Sequence, residues 1–140
     1  MPTVAPLDLD SHCIATAWLN DTPHFALADG VVHRLDNGHK WTEVHDGLLS
    51  ACFDPDHARL ITGGEDGRVT ALTTDGTVET LAEIGRKWVT GVASGTQGAV
   101  GFAVGRNAYV RFADGRQREF QHPRSVEGIA FAPKGMRLAI

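Results

Sequence analysis

His45 and Asp66 are the side chains of this sequence best suited to moving a proton. An imidazole titrates near neutrality, and a carboxylate can orient it. The other groups that could do chemistry are less ordered in sequence. The seven histidines are His12, His24, His33, His39, His45, His57 and His122, and none falls in a His-x-x-x-His or His-Glu-x-x-His spacing. No metal and no cofactor is therefore expected. Asp54-Pro55-Asp56-His57 alternates acids, but it lacks the glycine and glutamate of a calcium loop and reads as a turn. Cys13 and Cys52 lie in separate apolar segments with no C-x-x-C, so both are expected to be buried free thiols. That usage fits a reducing cytoplasm. No P-loop, dinucleotide glycine pattern, Gly-x-Ser-x-Gly or paired-acid constellation is present.

The elements that position His45 and Asp66 are strands. Around them, 48–53 is short and apolar and ends at Asp54-Pro55-Asp56. Proline gives no N–H to a ladder, and aspartate closes tight turns through its own side chain. A second strand is expected over 59–62, then Gly63-Gly64-Glu65-Asp66-Gly67 reverses the chain into a third over 68–72. Asp75-Gly76 turns again into a fourth over 77–81. Four antiparallel strands joined by short turns make a meander.

Such a meander needs neighbours, because both of its faces are apolar and both edges are unpaired. The sequence repeats itself accordingly. Asp29-Gly30-Val31-Val32 matches Asp66-Gly67-Arg68-Val69, and Asn107-Ala108-Tyr109-Val110 matches again, at steps of 37 and 41 residues. Phe53-Asp54-Pro55 and Phe131-Ala132-Pro133 are 78 residues apart, and His45 and His122 stand 77 apart. In unit one, strands are expected over 14–18, 25–28, 31–35 and 40–44. In unit three they are expected over 88–93, 99–104, 109–113 and 116–120, and the last unit begins at 126. The apolar spacing is two rather than 3.6 throughout, which excludes helices. Residues 4–7 read as a stray strand. Met1 to Leu9 has no basic segment and no long apolar run, so no signal peptide or membrane anchor is expected there.

A period near forty built from four short strands is the mark of a propeller blade. The residues also resemble the WD-repeat β-propeller family, chiefly through His45, Phe53-Asp54-Pro55-Asp56 and Leu60 to Val69, and again through His122 and Ile129 to Ala139. The resemblance implies an all-β chain forming an incomplete ring of about three and a half four-stranded antiparallel blades. Their approximate spans are 10–44, 45–82, 86–121 and a truncated 122–140. It also implies a fragment of a longer propeller, or two copies that close a ring. In that family a His, a Ser or Thr, an Asp and a Trp form a buried hydrogen-bonded tetrad. Here His45, Thr62 and Asp66 match three of them, and Leu72 stands at the tryptophan position. The resemblance thus assigns His45 and Asp66 to structure rather than catalysis. Gly38-His39 looks like the family's Gly-His pair but lies between strands of unit one.

Charge divides the chain. Residues 1–85 hold 4 Lys/Arg and 14 Asp/Glu, whereas residues 86–140 hold 9 and 3. The basic run is Arg86, Lys87, Arg106, Arg111, Arg116, Arg118 and Arg124. The chain as a whole carries −4 and lacks aromatic interleaving, which disfavours nucleic acid. The expected function is a non-enzymatic scaffold that binds a protein through loops on a rigid rim. Glu65, Lys87, Trp88, Arg106 and Arg124 are its candidate contacts, with Trp88 equally readable as core. Self-association through an unpaired edge blade is open to it. The alternative is a propeller hydrolase or lactonase whose site lies in further blades.

Overall fold

A computed structural model describes residues 3–140. Twelve strands form three four-stranded antiparallel sheets in chain order, and a hairpin follows. The first sheet is β1 (Cys13–Leu19), β2 (Thr22–Leu27), β3 (Val31–Leu35) and β4 (His39–Glu43). The second is β5 (Leu48–Asp54), β6 (Arg59–Gly64), β7 (Arg68–Thr73) and β8 (Val78–Glu83). The third is β9 (Gly91–Ser94), β10 (Val100–Val104), β11 (Asn107–Arg111) and β12 (Gln117–Gln121), with a single 3-10 turn at Thr96–Gly98. The hairpin is β13 (Ala130–Phe131) with β14 (Leu138–Ala139). No helix among the described residues is long and apolar enough to cross a membrane.

One turn chemistry recurs through the blades. Asp29, Asp66, Asp75 and Asp114 each accept, through Oδ1, the N–H of the residue two further on, at 3.0–3.1 Å. Each is followed by a glycine at positive φ. Gly67 shows why the glycine is needed. Its φ is +78°, and a Cβ there would lie 1.9 Å from the carbonyl oxygen of Gly85. In the first two sheets the segment that leaves the outermost strand therefore crosses directly over the turn between the second and third strands, at Gly30 and Gly67. Val44 and His45 donate N–H bonds to the Gly30 carbonyl, and Ile84 donates to that of Gly67.

The inner strands β1, β5, β9 and β13 lie next to one another, so the sheets fan outward from a shared axis. Period-two alternation then buries both faces of the second sheet. Leu60 and Leu72 pack with Leu19, Ala26, Val32, Val44 and Leu48 towards the first sheet. Ile61 and Ala71 pack with Val89, Val100, Phe102 and Tyr109 towards the third. Phe102 and Tyr109 stack at 4.9 Å. Each buried aliphatic side chain contributes roughly 1.5–3 kcal/mol. Polar ties reinforce the seam: Ser94 Oγ donates to the Phe53 carbonyl at 2.8 Å, and Arg59 Nη2 donates to that of Gly98 at 3.3 Å.

The ring is open. Trp18 and Trp41 are exposed on the face of the first sheet turned away from the second. At the other end, a groove of about 250 Å³ runs between the third sheet and the hairpin, over Phe112, Phe120, Phe131 and Leu138.

Several expectations are corrected. Residues 4–7 form no strand, and Val4 and Leu7 are exposed. Cys13 is exposed at the start of β1, beside a register shift, while Cys52 is half-buried. Asn107 is the first residue of β11, opposite Val104, so the β10–β11 turn is shorter than its counterparts and Asn107 is not the partner of Asp66. The third unit's first strand begins at Gly91 rather than residue 88.

Candidate functional site

His45 sits in the loop between β4 and β5, Thr62 in the middle of β6, and Asp66 in the β6–β7 turn. The crossing of that loop over the blade brings the three together. His45 Nδ1 lies 3.0 and 3.1 Å from the two Asp66 carboxylate oxygens, and Nε2 lies 2.8 Å from Thr62 Oγ1. Gly64 makes the room, since a Cβ there would stand 2.5 Å from the imidazole ring. Thr62 Oγ1 continues the chain to Thr70 Oγ1 on β7.

Thr70 is the member that the sequence did not reveal. It faces Thr62 in register and is fully buried, as Thr62 is. The available sign was a hydroxyl inside the apolar run Val69-Thr70-Ala71-Leu72. Leu72 stays in the apolar cluster and takes no part in the polar chain.

The carboxylate fixes the direction of these bonds. Nδ1–H donates to Asp66, so in the neutral ring Nε2 accepts from the Thr62 hydroxyl, and Thr62 in turn accepts from Thr70. Burial pushes the His45 pKa below its ordinary value, against the raising pull of Asp66. Burial acts to raise the Asp66 pKa, but it is outweighed. The Arg68 N–H and guanidinium, with His45, hold that carboxyl below the usual range. Both ring nitrogens of His45 are spent, and the side chain has no exposed surface. The arrangement can lock a loop to a blade, but it offers no base to a substrate.

The rim above this chain carries the exposed candidates. Glu65 is in the β6–β7 turn, Lys87 and Trp88 in the loop from β8 to β9, Arg106 in the β10–β11 turn and Arg124 in the loop after β12. All are exposed. Trp88 is 58% exposed, so its core reading does not hold. The next residue, Val89, is fully buried and donates its N–H to the Gly64 carbonyl at 3.1 Å, which pins the loop.

Two clefts meet at Trp88. The first, of about 750 Å³, also contains Glu65 with Asp46, Asp66, Arg68, Glu83 and Arg86. The second, of about 470 Å³, contains Lys87 and Arg106. Arg124 lines neither. The basic run is also divided. Arg116 pairs with Asp114 at 2.7 Å and lies over Phe112, and Arg118 lies over Phe120, away from the rim.

Among solved structures, the WD40 β-propeller domain of Doa1 aligns with 86% of this chain at a TM-score of 0.66 and 22% identity. The fold is that of an open WD40 β-propeller. The chain spans 44% of the length of that propeller chain, in keeping with an incomplete ring. No protein-family model matches the sequence, and no curated protein does. In this chain the second sheet carries one polar chain, made by Asp66, His45, Thr62 and Thr70.

Proposed function

We propose that the chain is a non-enzymatic scaffold that holds a protein partner on the rim bearing Glu65, Lys87, Trp88, Arg106 and Arg124. Trp88 carries this reading. Its indole is held out in solvent by a loop anchored at Val89, between two clefts of opposite charge. Exposed Trp and Arg on a rigid frame are the residue types that dominate binding energy at interfaces. Cytoplasmic residence is part of the proposal and draws support from two unpaired cysteines.

The proposal includes further blades, from a longer chain or from a second copy, that cover the open face of the first sheet. The exposed Trp18 and Trp41 support it, since apolar surface of that size favours burial. The competing enzyme reading draws no support from His45 and Asp66, because that imidazole is buried and bonded to Thr62.

The test is affinity capture with the wild type, Trp88→Ala and Lys87→Ala/Arg106→Ala, each with its melting temperature. Loss of the same captured proteins at unchanged melting temperature is expected. Identical capture by all three would overturn the assignment. Sedimentation addresses ring closure: a stable monomer that unfolds cooperatively would refute the need for further blades.

A further inference from the structure

We propose that the two clefts meeting at Trp88 form one site for an extended peptide segment whose charge changes sign along its length. The segment is basic where it crosses the second sheet and acidic where it reaches the third. The inference rests on the scaffold reading and adds the chemistry of the partner.

The charges are laid out as follows. In the first cleft Asp66 and Arg68 neutralise each other, with Arg68 Nη2 2.8 Å from Asp66 Oδ2. That leaves Asp46, Glu65 and Glu83 against Arg86, a surplus of two negative charges. None of these four is in a salt bridge among the described residues. Glu65 is also held in place: its N–H donates to the Gly47 carbonyl at 2.9 Å, and its side chain lies against Gly47. In the second cleft the charged lining residues are Lys87 and Arg106, beside the neutral Thr90, Asn107 and Gln121.

Trp88 lines both clefts. Its π face suits an ammonium or guanidinium group arriving from the acidic side. Its apolar surface gives the segment a central anchor flanked by polar contacts, the pattern of a binding hot spot. Nucleic acid carries one sign of charge and would be repelled from the first cleft. A segment of uniform charge meets one favourable cleft and one unfavourable one. Only a segment with both signs, in order, matches the whole site.

The probes are short fluorescein-labelled peptides: Arg-Lys-Arg joined through a Gly-Ser spacer to Glu-Asp-Glu, the same in reverse chain direction, a scramble of identical composition, and an all-basic peptide. One of the two ordered peptides should bind about tenfold tighter than the scramble, and added salt should weaken it. Lys87→Glu/Arg106→Glu should shift the preference to the all-basic peptide, a gain that unfolding cannot mimic. Equal binding of ordered and scrambled peptides, no binding by any peptide, or an unchanged preference in the double variant would overturn the inference. If partner capture still depends on Trp88 in those cases, the scaffold stands and only the charge order falls. If capture is also indifferent to Trp88, both fall.

Discussion

The hydroxyl oxygens of Thr62 and Thr70 lie 2.6 Å apart across β6 and β7, and that contact completes a polar chain running from Asp66 through His45. The chain ties a surface loop to the interior of the second sheet. Its members are not equivalent, because they differ in what each leaves behind when removed.

Thr70→Val removes one donor at the end of the chain and should cost about 1 kcal/mol. Thr62→Val also strands His45 Nε2 and the Thr70 hydroxyl, and should cost roughly 2–3 kcal/mol. Urea unfolding of both variants checks the order. The denaturant slope should stay at the wild-type value, as only the native contacts change.

Stability should fall on acidification from pH 7.5 to 5.5. His45 titrates below its ordinary value in the fold, so in that window the unfolded chain binds more protons than the native one. Its contribution is complete above the unfolded pKa near 6.5 and is lost as pH drops towards the folded value. Asp66, held low, adds a second loss only below the ordinary carboxylate range. His24 is lowered by burial as well, so the slope belongs to more than one group. His45→Gln should therefore flatten the dependence above pH 5.5 without abolishing it. An unchanged slope would remove His45 from this account.

Asp54 is buried, with Arg59 Nε 2.8 Å from Oδ2 and Oδ1 without a partner. Arg59→Met leaves that buried carboxylate with only His57, whose Nδ1 lies 3.3 Å from Oδ2, and should cost about 3 kcal/mol. It also cuts the tie from Arg59 to the Gly98 carbonyl on the third sheet. The pair Asp54→Asn/Arg59→Met should recover a large part of the loss, and a double-mutant cycle measures it.

The two thiols should react differently. Cys13 is exposed, whereas burial, helped by the charge of Asp54, pushes the Cys52 thiol up to about 12. Iodoacetamide at pH 8 should modify one cysteine per folded chain and a second only after unfolding. Mass spectrometry of the peptides shows which, and rapid labelling of Cys52 in the native protein would contradict the fold around β5.

Local chemistry made most of the architecture legible in the sequence. Alternation at period two and the Asp-Gly turns act over a few residues, so the meander around His45 could be read directly, and its repetition implied stacked blades. His45, Thr62 and Asp66 come into view as a set only through the resemblance to WD-repeat propellers, and the fold brings their polar atoms to 2.8–3.1 Å. What tertiary structure alone decided depends on pairing between strands and on loops crossing blades. Thr70 became the fourth polar member only because β6 and β7 pair in that register, while Leu72, one turn of alternation away, went to the core. Trp88 and Val89 look alike in sequence as apolar strand formers. A carbonyl of the second sheet captures the Val89 backbone, buries Val89 and leaves Trp88 in solvent. The acidic and basic clefts on either side of it draw residues from separate loops, so their opposition is a property of the folded rim and not of any one stretch of chain.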